Sequence, residues 1–137
     1  VFFLVWKWPE CECNKAPTQA SLSLSLPVVS LATDGMLLYC FDVQQGPCMD
    51  AGICCDMDLY KVEFEADEQC RGSVAYVTVS GKVQAPVFQT SPYVALKINR
   101  IYASADEVDG LHLCVALRPA SPCTTMEQLC GDRLCTY

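Results

Sequence analysis

The sequence predicts an all-β fold, a disulfide-rich antiparallel β-sandwich with one short C-terminal helix. Three observations lead there. Short apolar runs alternate with polar residues at period two. Glycine-containing turns punctuate those runs. Eleven of the 137 residues are cysteine, a density typical of secreted, disulfide-stapled domains. The length fits one domain. The expected division is an apolar N-terminal segment over residues 1–7 and a single domain over residues 8–137.

The elements follow in order. Val1 to Trp6 are wholly apolar, far short of a membrane span at about 20 residues. Because the sequence opens on Val1 rather than Met, it is read as processed or as one piece of a longer protein. The segment competes between the end of a signal peptide, a core strand, and an inter-subunit strand formed by Val1, Phe2, Phe3, Leu4 and Val5. Leu22, Leu24 and Leu26 alternate with serines as a half-buried strand. Asp34-Gly35 then marks a hairpin into the run Met36 to Val43. Tyr60, Val62 and Phe64 alternate with Lys61, Glu63 and Glu65, a strand with one wet face. Val74 to Val79 and Lys82 to Phe88 are joined by a Ser80-Gly81 turn. Val94, Leu96 and Ile98 oppose Lys97 and Asn99. After the acidic loop Asp106 to Gly110, the run Leu111 to Leu117 closes the sheets. Thr124 with Glu127 three residues on gives a capping-box pattern for the helix, whose buried face is Met126, Leu129 and Cys130.

Composition narrows the function. Apolar residues at 52% and charged residues at 18% exclude wholesale disorder. A formal charge of −7 argues against gripping phosphate backbones. His112 is the single histidine, so mechanisms needing two imidazoles are excluded. Within Leu111-His112-Leu113-Cys114 it is placed on the face opposite Leu111 and Leu113, as a surface or half-buried residue not positioned to activate Cys114.

The cysteines are Cys11, Cys13, Cys40, Cys48, Cys54, Cys55, Cys70, Cys114, Cys123, Cys130 and Cys135. No pair has C-x-x-C spacing, so a thioredoxin-type pair and a zinc ribbon both lack their basic unit. Disulfides are the favoured state, with connectivity open and one thiol left over from the odd count. Cys54 and Cys55, and likewise Cys11 and Cys13, are expected to bond different partners. Asp106, Glu107 and Asp109, and the pair Asp56 and Asp58, lack the EF-hand pattern and read as solvated turns. No cofactor, metal or catalytic residue is expected. Trp6, Trp8, Tyr93 and Tyr102 are candidate glycan or subunit contacts, since flat aromatic faces stack on sugar rings. Neither Asn14 nor Asn99 begins an N-x-[ST] sequon.

Several blocks in order resemble the pherophorin domain. They are Trp8-Pro9-Glu10-Cys11-Glu12-Cys13-Asn14, Tyr39-Cys40-Phe41-Asp42-Val43, and Cys54-Cys55-Asp56-Met57-Asp58-Leu59-Tyr60-Lys61-Val62-Glu63-Phe64 followed by Cys70. Val77-Thr78-Val79-Ser80-Gly81, Leu113 to Leu117 and Cys123 to Cys130 complete the match, with Ser80 standing at an Asn position and Met126 at a Leu position. The resemblance spans residues 8 to 135. It implies a non-enzymatic extracellular matrix or cell-wall glycoprotein of green algae, secreted, partnered with itself or related matrix glycoproteins and with polysaccharide. The family's hydroxyproline-rich rod is not seen in this sequence, and the family brings no catalytic residues. A structural, self-associating matrix module is therefore the first reading. A lectin-like carbohydrate-binding module is the second, and a secreted hydrolase or inhibitor the least favoured.

Overall fold

A computed structural model describes residues 22–46, 58–132, 135 and 137. Among the described residues, nine strands form two antiparallel sheets around one core. The strands are β1 (Leu22–Leu24), β2 (Val28–Leu31), β3 (Leu37–Gln45), β4 (Val62–Glu65), β5 (Val74–Val79), β6 (Lys82–Gln84), β7 (Val87–Gln89), β8 (Ala95–Ile98) and β9 (His112–Leu117), with helix α1 (Met126–Leu129) at the end. The larger sheet runs β1-β3-β9-β5-β6, with β2 also paired to β3; the smaller is β4-β8-β7. The all-β sandwich with one short helix is thus the observed class.

Alternation builds the core. Tyr39, Phe41 and Val43 of β3, with Leu113, Val115 and Leu117 of β9, face inward from the large sheet. Val62 and Phe64 of β4 and Leu96 and Ile98 of β8 meet them from the small one. Phe41 and Phe64 close the gap, their ring centroids 5.4 Å apart. A buried Phe stabilises by about 1.5–3 kcal/mol through area alone, so this layer is the main source of cohesion.

Two turns behave as the sequence predicts. Asp34-Gly35 lies between β2 and β3, where the Asp34 carboxylate accepts from the Met36 amide at 3.1 Å. Ser80 and Gly81 have φ of 48° and 85°, both positive as a type I′ hairpin requires, and Val79 pairs with Lys82 across them.

Four expectations need correction. The first strand stops at Leu24, and Leu26 is exposed. The Ser25 hydroxyl accepts from the Asp42 amide at 2.8 Å, and Pro27 next offers no N–H to the ladder. The run Lys82 to Phe88 is two strands, not one. It breaks at Ala85-Pro86, so β6 stays in the large sheet and β7 joins the small one. Tyr60 precedes β4 and is exposed, whereas Glu63, assigned to a wet face, is buried because Lys97 of β8 pairs with it at 3.0 Å. The helix cap sits one residue later than predicted. Thr125 is the N-cap, accepting from the Gln128 amide, and Gln128 rather than Glu127 answers back. Met126, Leu129 and Cys130 are nevertheless its buried side, as predicted.

All six cysteines among the described residues are bridged: Cys40–Cys114, Cys70–Cys123 and Cys130–Cys135. The first joins β3 to β9, the second ties the 3-10 turn Glu68–Cys70 to the approach to α1, and the third closes the helix's C-terminal end. The candidate strand Val1 to Val5 and the cysteines Cys11, Cys13, Cys48, Cys54 and Cys55 lie outside the described residues.

Candidate functional site

Three surfaces carry side chains that the core does not use. The first is an aromatic pair. Leu59 and Ala103 form an isolated antiparallel bridge, with the Leu59 amide donating to Ala103 at 2.8 Å and the Ala103 amide returning at 3.0 Å. The Ile101 amide also donates to the Tyr60 carbonyl at 2.9 Å. Leu59, Ile101 and Ala103 are buried, so alternation turns Tyr60 and Tyr102 outward. Arg100 and Tyr102 both take positive φ, 57° and 49°, which tightens this segment. The two rings meet edge to face with centroids 5.9 Å apart, at 60% and 70% exposure. Tyr102 was predicted as a contact residue. Tyr60 was missed because it was assigned to the inward face of the following strand.

Tyr93, the other predicted aromatic within the described residues, is half-buried. Its hydroxyl bonds the Glu63 carboxylate at 3.1 Å and its carbonyl accepts from the Gln89 amide side chain at 3.0 Å. Its ring is thereby committed to the small sheet. Trp6 and Trp8 lie outside the described residues.

The second surface is an apolar sheet edge. All four residues of β2 are exposed, with Val28 at 70% and Leu31 at 72%. Among the described strands β2 pairs only with β3. Immediately before it, Leu24, Leu26 and Pro27 line a groove of about 440 Å³ with Phe41, Phe64 and Tyr137. The Tyr137 hydroxyl accepts from the Leu24 amide at 3.0 Å, fixing one wall. An edge strand offers unpaired backbone groups to another chain, and here its side chains are apolar too. The sequence signal was Pro27 followed by Val28-Val29, a run without alternation.

The third surface lies on the outer face of the large sheet. His112 and Asp42 are directly opposite in the β9–β3 register, with Nδ1 2.7 Å from the carboxylate. Cys114 and Cys40 are the next pair on the same face. Residues 112 and 114 are two apart, and strand alternation puts them on one side. The expectation that His112 is poorly placed with respect to Cys114 is therefore wrong. A ring nitrogen of His112 and both sulfurs lie within 4.8 Å of one another. The sulfurs are bonded to each other, so the trio offers no thiolate to a metal.

The acidic residues serve turns. Glu107 accepts from the Ser104 hydroxyl at 2.6 Å, and this bond, helped by the Ser104 amide, holds its carboxyl below the usual glutamate range. Asp109 accepts from the Gln45 amide at 3.1 Å and Asp58 from the Ala105 amide at 3.1 Å. Asp56 lies outside the described residues.

Together these features define a small, disulfide-bridged antiparallel β-sandwich with an exposed aromatic pair and an apolar edge strand. The sequence matches the Pherophorin family over residues 8–137. It is also 30% identical over 113 residues to Perphorin-2 of Volvox carteri, a match covering 72% of this chain and 23% of that protein. The chain belongs to the pherophorin family. It spans less than a quarter of the curated relative it matches. No solved structure matches it.

Proposed function

We propose that the chain is a structural, non-enzymatic module of an extracellular matrix or cell wall that assembles with copies of itself or related chains. The observation that carries this reading is the apolar edge strand β2 with its neighbouring groove. Val28, Val29 and Leu31 are displayed where a partner strand would complete both the hydrogen-bond ladder and the apolar burial. Such an exposed edge is an aggregation hazard in a solitary domain but a joint in a polymer. Family membership supports the matrix setting. The segment Val1 to Val5 remains a proposed second strand for the same purpose. The test is the self-association of Val29→Lys/Leu31→Lys, and separately of a chain lacking residues 1–6. Loss of association in a folded protein is expected for the edge variant, and undiminished association contradicts the role of β2.

A second reading, contact with matrix polysaccharide, is favoured by the Tyr60–Tyr102 pair. Two exposed rings edge to face present one flat face and one hydroxyl-rimmed edge, suited to a sugar ring and its hydroxyls. This contact would lie apart from the β2 edge, so one module could bind glycan and assemble together.

A further inference from the structure

The outer face of the large sheet carries an arrangement that neither assembly nor glycan contact uses. Cys40 and Cys114 are bridged directly across adjacent strands, and the next pair along the same face is Asp42 and His112. We propose that Cys40–Cys114 is a thiol–disulfide exchange site, opened by an incoming cysteine thiol with His112 as the proton donor to the leaving sulfur.

Accessibility sets the direction. Cys40 is half-buried while Cys114 is buried, so the incoming thiolate reaches the Cys40 sulfur. A new S–S bond forms to Cys40, the Cys40–Cys114 bond breaks, and its electron pair goes to the Cys114 sulfur. That sulfur takes a proton from the imidazolium of His112, while the attacking thiol has released its own to solvent. No oxidant is consumed, since one disulfide replaces another. The leaving thiolate governs such rates, and a neighbouring imidazolium stabilises it. The separation of up to 4.8 Å between the His112 nitrogen and the sulfurs is closed by one water or a small rotation of a side chain that is half exposed. Asp42 is a positioning residue. Its carboxylate, 2.7 Å from Nδ1, orients the ring.

The fold tolerates the step. β3 and β9 stay joined by six registered pairs, and β9 is held on its other side by β5. Opening the bridge therefore need not open the sheet. The other two bridges lack this setting. Both sulfur-bearing residues of Cys70–Cys123 are buried, and Cys130–Cys135, whose Cys135 is half-buried at the groove, has no second histidine to serve it, since His112 is the single one.

The full chain is incubated with reduced glutathione under native conditions, and each bridge is followed by timed differential alkylation and peptide mass spectrometry. Cys40–Cys114 is expected to open first, with the glutathione adduct on Cys40. His112→Gln is expected to slow its opening at least tenfold, and Asp42→Asn severalfold, with the opening of Cys70–Cys123 unchanged in both. A general loss of structure would accelerate every bridge instead, so the bridge-selective slowing separates the two roles. Earlier opening of Cys70–Cys123, an adduct confined to Cys114, or wild-type kinetics in His112→Gln would each overturn the proposal. These outcomes are independent of whether the protein self-associates.

Discussion

The Glu63 carboxylate and the Lys97 ammonium lie 3.0 Å apart across β4 and β8, in direct register on the outer face of the small sheet. The side chains are only 3% and 17% exposed, and the Tyr93 hydroxyl completes the carboxylate's partners. Removing one member of a buried ion pair leaves an uncompensated charge at a cost of about 3–5 kcal/mol. Lys97→Met is expected to destabilise by about that much in chemical denaturation. Glu63→Gln/Lys97→Met should recover most of the loss. A double variant as unstable as the single one would mean that the pair is not the source.

The bridges should differ in worth according to the loops they close. Cys70 and Cys123 are separated by 53 residues and Cys130 and Cys135 by 5. Chain-entropy reasoning gives about 4 kcal/mol for the first and about 2 kcal/mol for the second. Paired Cys→Ala variants measured by thermal and denaturant unfolding should follow that order. Equal losses would indicate that native-state effects dominate.

Two surface carboxylates should respond to acid. The Met36 amide, with the Tyr76 hydroxyl, holds Asp34 below its usual range, and the Ser104 hydroxyl and amide do the same for Glu107. A depressed folded-state pKa means that the unfolded chain binds the proton first. The stabilisation is therefore fully present above the ordinary carboxylate range and is lost as pH falls through the folded values. Ser104→Ala should raise the Glu107 titration midpoint, read by carboxyl-carbon NMR. A midpoint that does not move would remove the hydroxyl as the cause.

The aromatic pair makes a separable claim. Tyr60→Ala and Tyr102→Ala each remove an exposed ring, so stability should change by less than about 1 kcal/mol, as at most surface positions. Retention on an immobilised matrix-polysaccharide column should fall in both. Retention unchanged in both variants would leave the pair without a ligand.

Much of this fold is legible in the sequence because alternation and turn chemistry act locally. β3, β5, β8 and β9 follow from their apolar periods, and Ser80-Gly81 from its need for positive φ. What escapes is set by partners distant in sequence. Glu63 looks solvent-facing until Lys97 is placed opposite it, and Tyr60 looks buried until Leu59 pairs with Ala103. The split of Lys82 to Phe88 was signalled by Pro86, which cannot donate within a continuous ladder. The capping residue shifted by one because Thr124 and Thr125 both precede suitable acceptors, and only backbone geometry chooses between them. The site was less legible than the fold. The family was readable from ordered cysteine blocks, but the β2 edge and the partnership of His112 with the Cys40–Cys114 bridge depend on the β3 register.

The central claim is that β2 is a joint between chains. Sedimentation velocity over a rising concentration series tests it most directly, on the wild-type chain and on Val29→Lys/Leu31→Lys under non-reducing conditions. The account predicts concentration-dependent association of the wild type and a folded monomer for the variant, with far-ultraviolet circular dichroism unchanged. A wild type that stays monomeric throughout, or a folded variant that associates as the wild type does, would contradict it.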